Sequence, residues 1–597
     1  VAGKQVPTGD RQRNPKLVTV GRVRLPSFSA HPPSESTFNV EIRPGTRLRL
    51  HVALLPEVWD KACDGVTFEA RVDTEYGEVK VLSFHLDPAA NPDHRRWYPL
   101  QVDLDRFQGA DRRLILRTLP GPAGDPNYDW ALWGDPTLET TGRIIPLAED
   151  AKTHVIFISL DTLRKDHLDL FGHHRLTAPH LNASLDEFII FNEATSPSHW
   201  TMPSHMSVFT SVHPEVHQVA DPRGQAVLPA GIPTLTELLK NHGYRTGGFA
   251  ACDFLSGRIG FDRGFDMYTL NTNDAARQNE LTVEWLRSNR RHKTFVFLHY
   301  FDVHSDFDVQ PYGSFSGFDR LYPENASSDS FSGCSPDGTL CASRYLLHLN
   351  RTGARLSGEE LASIEVQYDR GIRYLDYQLA LLVARLKTMG FWDSSLVIIF
   401  SDHGEEFQDH GMLLHAQLYQ ELLEVPLLIK LPGGLHGGVA VDEPVDLVDI
   451  APTVLSILGK PVPDTMQGRS FLPAIARVVE AEGWHEALGG DAMSFTSWSA
   501  EGRSSRQGRW KLLTWRHPGS QETLKYLFNL DDDPAERIDL SDSHPEVVRW
   551  LNAREQEWVA RQHRWRQRLA PPEPPAEGPE GFSDNERQRL IDLGYLE

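Results

Sequence analysis

His154-Val155-Ile156-Phe157-Ile158-Ser159-Leu160 is a nearly continuous apolar run that ends directly in Asp161. A strand covered by helices on both faces has no polar side to show, so runs of this kind mark parallel sheets between helix layers. The same character recurs in Thr294-Phe295-Val296-Phe297-Leu298-His299-Tyr300, in Leu396-Val397-Ile398-Ile399-Phe400, in Val425-Pro426-Leu427-Leu428-Ile429-Lys430, and in the stretch from Tyr244 to Ala251. Between these runs the period changes. Leu235 to His242 reads as a helix closed by Gly243, and Ile364 to Met389 as a long helix stopped by Gly390. Alternating strand and helix predicts an α/β fold with a mostly parallel sheet between helices.

Upstream the pattern is different. In residues 1–150, Thr37-Phe38-Asn39-Val40-Glu41-Ile42, Arg47-Leu48-Arg49-Leu50-His51-Val52 and Val66-Thr67-Phe68-Glu69-Ala70-Arg71-Val72 alternate apolar and polar with period two. Turn residues recur at short intervals and helical periodicity is missing, so an all-β, jelly-roll-like sandwich is expected to precede the α/β part. The segments Trp97–Leu104 and Trp130–Pro136 look like those of galactose-binding-type jelly rolls. Trp130 and Trp133 would then be either sugar platforms or core residues, with core packing the better expectation. The α/β domain is expected over 151–500, with a polar, Gly- and Ser-rich insertion at 305–350 that reads as a lid. A small α+β subdomain is expected over 501–569, and a Pro/Glu-rich linker with a terminal helix over 570–597.

Chemistry collects at the strand ends. Asp161 ends one buried run, Asp302 and His304 follow another, and Asp402 with His403 follow a third. Open parallel sheets bind ligands outside the carboxyl ends of their strands. Each residue alone has an ordinary structural role, such as a helix cap or a turn; three strands delivering carboxylate and imidazole to one edge suggest a metal site. The donor set suits Zn²⁺ or Mn²⁺ and tolerates Ca²⁺. Thr201, in Trp200-Thr201-Met202-Pro203-Ser204-His205, stands at the start of a helix expected to run through Val208, with Pro203 in its first turn. A helix N-terminus favours a phosphate or sulfate. A hydroxyl bound to a metal there would become a nucleophile, although Thr201 could equally be a simple N-cap.

Asp and Glu number 82 against 60 Lys and Arg, a formal net charge of −22. A nucleic-acid backbone would call for a basic face, so that partner is not expected. An anionic substrate is not excluded, because a metal dominates its own site. No run of eighteen apolar residues exists, so no transmembrane segment is expected. Cys334 and Cys341 bracket a short loop, either as a disulfide or as two unpaired thiols. A disulfide would favour a periplasmic or extracellular enzyme, with any leader already removed.

Taken with Ser401-Asp402-His403-Gly404-Glu405, the Thr201 motif resembles the nucleophile and metal cradle of the sulfatase branch of the alkaline-phosphatase superfamily. The resemblance covers about 153 to 535. It also rests on Asp161-Thr162-Leu163-Arg164-Lys165-Asp166, Gly243-Tyr244-Arg245-Thr246, Val448-Asp449-Ile450-Ala451-Pro452-Thr453, Gln467-Gly468-Arg469-Ser470 and Leu530–Glu536. It implies one divalent ion held by Asp161, Thr201, Asp402 and His403. Sulfatases carry Cys or Ser where Thr201 stands, followed by x-Pro-x-Arg, and convert it to formylglycine. Threonine cannot follow that route, because its β-carbon already bears a methyl group. Thr162 stands where many sulfatases have a second Asp, so the site is less anionic than theirs. His205 takes the place of the Arg and would orient Thr201 or touch the anion. His304 matches a His that contacts the ester oxygen, and His415 stands where sulfatases carry Lys and phosphoethanolamine transferases carry His. Both would protonate a leaving group with ordinary histidine pKa values; otherwise Asp302, His304 and His415 would form a second metal site. The expected activity is hydrolysis of phosphoesters (monoester, diester or phosphonate monoester) by an unmodified Thr, with promiscuity toward sulfate esters. A sulfatase acting on aryl or glycan sulfates and a phosphoethanolamine-type transferase are the alternatives. The expected substrate is a small-molecule, glycan-derived or lipid-derived anionic ester.

Overall fold

A computed structural model describes residues 3–5, 8–9, 16–21, 23–42, 46–61, 64–74, 77–104, 107, 109–140, 152–221, 226–270, 274–305, 312, 315–322, 333–480, 493–498, 502–516 and 523–569. The expected linker and terminal helix, 570–597, lie outside the described residues. The chain forms two compact units: Val1–Glu149 with Pro452–Met493, and Asp150–Ala451 with Ser494–Glu597. Within the first unit, Arg112 Nη2 lies 3.0 Å from Asp464 Oδ2, and Arg469 donates to the Lys80 carbonyl at 3.3 Å.

Eight strands of the first unit are Val23–Ser29, Ser34–Ile42, Thr46–Leu54, Val66–Thr74, Gly77–Leu86, Tyr98–Asp103, Gly109–Pro120 and Ala131–Thr140. One sheet takes them in the order first, eighth, third, sixth, and the other in the order second, seventh, fourth, fifth, with short N-terminal strands added at their sides. The pairings among these eight strands are antiparallel. This is the jelly-roll order, in which two Greek keys close a double sheet. The period-two alternation puts Leu48, Leu50 and Val52 from one sheet against Phe68, Val72 and Leu114 from the other in a common core. Trp133 is fully buried, edge-on to Phe68 at 5.0 Å, whereas Trp130 is 43% exposed. Core packing therefore accounts for Trp133 alone.

The second unit is built on an eight-stranded sheet in the order Met267–Leu270, Arg245–Ala250, Thr294–Tyr300, His154–Leu160, Ser395–Phe400, Leu427–Lys430, Ile189–Phe191, Ala440–Val441. The buried apolar runs lie at its centre, where His154–Leu160 pairs in parallel with Thr294–Tyr300 and Ser395–Phe400. One run departs from the parallel expectation. Leu427–Lys430 is antiparallel to both neighbours. The chain after Phe400 does not cross back over the sheet. It stays at the carboxyl edge, where Ser401 donates to the Pro426 carbonyl at 3.2 Å, and so re-enters from that end. An apolar run shows that a strand is buried but carries no record of its direction.

The long helix is Gly358–Thr388, and it begins six residues before its apolar period indicates. Its start is set by a capping box between Ser357 and Glu360 in a first turn that is all polar. In the expected insertion, Cys334 and Cys341 are disulfide-bonded and Ala342–Thr352 is helical; residues 306–311, 313–314 and 323–332 lie outside the described residues. Gly502–Gln507, Trp510–Arg516 and Thr523–Asn529 pair antiparallel, and the helix Pro545–Leu569 follows. No helix among the described residues is long and apolar enough to cross a membrane.

Candidate active site

The central strands fix the site because they are adjacent. Asp161 follows one and Asp402-His403 the next, so parallel pairing brings their side chains to one edge. Asp161, Asp402 and His403 are all fully buried, and one ligand atom from each lies within 4.8 Å of the others. Opposite them, the helix Thr201–Thr210 begins. Its N-cap is Trp200, not Thr201, and no side chain caps it. The Thr201 hydroxyl is thus not spent on the helix: Oγ1 lies 3.4 Å from Asp161 Oδ2 and 3.4 Å from His403 Nε2.

His205, one turn along, sits beneath this group. Its Nδ1 lies 2.9 Å from the Thr201 carbonyl and 3.3 Å from Asp402 Oδ2, and its Nε2 lies 2.8 Å from Ser159 Oγ. It joins the Thr201 backbone to the central strand and lies beside the Asp402 carboxylate. His304 and His415 adjoin, with ring centroids 5.4 Å apart, and His415 is 4.7 Å from His403. Asp302 does not join them. Its Oδ1 accepts the Ala275 N–H at 3.1 Å, at the start of the helix Ala275–Ser288. Among the described residues the three do not form a group able to hold an ion. The chain turns over residues 302–304 after the strand ends, so Asp302 docks the loop while His304 enters the site.

Two further groups were not picked out from the sequence. His299 Nε2 lies 2.9 Å from Asp161 Oδ2, on the strand beside Asp161. The visible signal was an imidazole in an otherwise apolar run. Glu405, fully buried, places Oε1 3.4 Å from His415 Nδ1. Thr162, buried, has φ +57°, a left-handed conformation unusual for a β-branched residue. The Tyr368 hydroxyl donates to its carbonyl at 2.6 Å.

Burial governs the protonation states. It lowers His403 to about 4, with Asp402 opposing, and His415 to about 4. It carries His304 and His299 well below the ordinary histidine range. The expectation of ordinary pKa values for His304 and His415 therefore fails, because neither ring is solvated. Burial also pushes Asp302 up to about 7 and Glu405 up to about 8. Burial acts on Asp402 in the same direction, but the His403 and His205 rings outweigh it and hold Asp402 below the usual carboxylate range.

These residues fit a divalent cation. Asp402 Oδ2 is buried and accepts no hydrogen bond, and two carboxylates in one dry cluster call for a compensating charge. A second grouping, His167, His173 and Asp369, does not fit. His167 Nδ1 lies 2.7 Å from one Asp369 oxygen, and the other is shared by His173 Nε2 at 3.0 Å and the Arg175 guanidinium. A bound arginine already supplies the positive charge there.

Comparison with known protein families matches residues 153–460 to Sulfatase and residues 408–558 to N-sulphoglucosamine sulphohydrolase, C-terminal. The chain belongs to the sulfatase family. Arylsulfatase K of Bos taurus is 24% identical over 368 residues, 53% of this chain and 66% of that protein. The chain thus spans just under two thirds of this curated relative's length. Two solved structures share the fold. BT4656 in complex with its substrate D-glucosamine-2-N,6-O-disulfate has a TM-score of 0.55 at 15% identity, covering 69% of this chain and 98% of that one. The phosphonate monoester hydrolase of Agrobacterium radiobacter has a TM-score of 0.54 at 20% identity, covering 72% and 100%.

Proposed function

We propose that the protein is a metal-dependent hydrolase that cleaves phosphoesters, whether monoesters, diesters or phosphonate monoesters, with unmodified Thr201 as nucleophile, and that it also turns over sulfate esters. The observation that carries this reading is the Thr201 hydroxyl directed at Asp161 and His403 rather than at the helix backbone. Asp161, Asp402 and His403 would hold a Zn²⁺, Mn²⁺ or Ca²⁺ ion with Thr201. Such an ion, when bound, supplies a lowered pKa for the hydroxyl and neutralises charge on the ester oxygens.

Thr201 Oγ1 attacks phosphorus, the bond to the leaving oxygen breaks, and that oxygen takes a proton. Water then attacks the phosphoryl-Thr in line, the P–Oγ1 bond breaks, and one proton of that water passes to Oγ1. A sulfated formylglycine hydrate is cleared by elimination through a second hydroxyl, which threonine lacks. The helix N-terminus at Thr201 presents backbone N–H groups to the anion. His205 orients Thr201 from below. His304 and His415 are neutral at rest, and the arrival of an anionic ester would raise their affinity for the leaving-group proton. The disulfide supports a periplasmic or extracellular location.

The family membership and the glucosamine disulfate complex favour a second reading, a sulfatase using unmodified Thr201 on aryl or glycan sulfates. One experiment separates the two. The metal-loaded enzyme is assayed on matched aryl phosphate, phosphodiester, phosphonate and sulfate. A kcat/KM for the sulfate above that of every phosphorus ester overturns the phosphoesterase reading; a product carrying the phosphoryl group on an added alcohol in place of water would identify a transferase.

A further inference from the structure

We propose that His410 is a proton-operated latch: with two ring protons it fastens the turn around Glu536 to the hairpin that joins His403 to His415, and loss of one proton releases it. The latch acts on the hairpin and is independent of which ester the site cleaves.

Glu406–Phe407 and Leu413–Leu414 pair antiparallel, and the Gln408 N–H closes the loop between them on the Met412 carbonyl at 2.7 Å. His403 precedes this hairpin and His415 directly follows it. His410 sits at its tip, with its side chain 10% exposed. The ring stacks on Tyr419 at 3.5 Å between centroids. Nδ1 lies 2.7 Å from Glu421 Oε1, in the short helix Gln420–Leu423. Nε2 lies 3.1 Å from the Ala535 carbonyl and 3.2 Å from the Glu536 carbonyl, in the turn that follows the strand Thr523–Asn529. A carbonyl cannot donate, so Nε2 must carry a hydrogen. A neutral ring protonated there turns its Nδ1 lone pair on the Glu421 carboxylate, and the other tautomer leaves both carbonyls without a donor. With Glu421 ionised, only the imidazolium satisfies both sides. Burial opposes that charge, but Glu421, by hydrogen bond and by charge, and Glu536 outweigh it and raise the His410 pKa above the ordinary histidine value. The other charges around the ring are engaged elsewhere. The Glu536 carboxyl accepts the Gln420 N–H at 2.6 Å and lies 2.8 Å from Lys511 Nζ. On the hairpin, Asp409 pairs with Arg164 at 2.9 Å and Glu406 accepts the Ala416 N–H at 2.7 Å, while Arg355 donates to the Gln408 carbonyl at 3.4 Å. Glu421 also bears on the site. A Cβ at Gly404 would fall 1.8 Å from its carbonyl oxygen, so the turn after His403 packs directly against it.

A folded pKa above the unfolded value means that the latch is fully closed below about pH 6.5 and opens as pH rises through the folded pKa. The test is hydrogen exchange read by mass spectrometry on the metal-loaded full chain at about pH 6 and about pH 9, with exchange times scaled for the intrinsic pH dependence of amide exchange. Peptides covering 405–416 and 526–540 should lose at least about threefold in protection at the higher pH, while the strand Ser395–Phe400 keeps its own. His410→Ala should show the loosened state at both pH values. Glu421→Gln should do the opposite. Its amide N–H donates to a neutral Nδ1 while Nε2–H keeps the two carbonyls, so both segments should stay protected at the higher pH. Unchanged protection of the wild type across the range, a loss in Glu421→Gln equal to that of wild type, wild-type protection in His410→Ala, or a loss spread over the central strand would each overturn the proposal. If His410→Ala does not fold, the wild type against Glu421→Gln decides it.

Discussion

Changing the proposed nucleophile, Thr201, in two different ways gives the sharpest test of the site. Thr201→Ala deletes the only atom proposed to bond to the ester, so turnover should fall by at least about 10³-fold, as loss of a nucleophile does elsewhere. Thr201→Ser keeps Oγ but loses a methyl group at a position only 1% exposed. One buried carbon is worth about 0.8 kcal/mol, which predicts a melting temperature lower by about 2 °C. Serine also gains freedom at χ1. A β-branched residue is held close to one rotamer, while serine samples three staggered wells. If one of three is productive, the entropy cost is about 0.6 kcal/mol, and turnover should drop only about threefold. The assay is kcat and kcat/KM on an aryl phosphodiester, with thermal melts of the same preparations and the intact mass of the wild type, which should show unmodified Thr201. Residual turnover above about a tenth of wild type in Thr201→Ala, with metal content unchanged, refutes the nucleophile assignment.

Asp402→Asn removes a charge from the proposed ligand set, so metal per chain by elemental analysis should fall well below that of wild type along with activity, while a chelator should inactivate the wild type reversibly. Retention of full metal by Asp402→Asn would contradict the site. His205→Ala leaves the Ser159 hydroxyl without its imidazole partner in a buried space, at a cost of about 1–3 kcal/mol in stability and about tenfold in metal affinity; denaturation and metal titration check both, and an unchanged metal affinity would reduce His205 to a packing role. His217 offers a pH test away from the site. The Val219 N–H donates to its Nδ1 at 2.9 Å, and burial lowers it to about 3. A folded pKa below the unfolded value means that its contribution is present above about pH 6.5 and is lost as pH falls toward 3. Between pH 7 and 5 wild type should therefore lose about 2 kcal/mol more than His217→Asn in denaturant titrations. Parallel loss in both proteins would show that His217 can be protonated in place.

Much of the second unit can be read locally. A strand buried on both faces must be apolar along its length, so His154–Leu160 and Ser395–Phe400 declare themselves, and the polar residues that end them must lie at the sheet edge. The methyl group of Thr201 excludes formylglycine without any coordinates. Period-two alternation likewise marks Thr46–Leu54 and Val66–Thr74 as half-buried strands.

What the sequence cannot carry is which segments become neighbours. The jelly-roll order joins strands far apart in the chain, such as Val23–Ser29 with Ala131–Thr140, and no local pattern encodes a partner. The direction of Leu427–Lys430 depends on the path of the chain before it. His299 reaches Asp161, and Glu405 reaches His415, only because strand pairing and one tight turn at Gly404 bring them together. Asp302 and His304, two residues apart, part company for the same reason: one meets a helix N-terminus and the other the site. Residue type and periodicity are local properties of the chain, and they determined the strands, the edge and which residue is proposed as nucleophile. Contact, orientation and the pKa shifts that follow from burial belong to the packed molecule, and only the tertiary structure decided them.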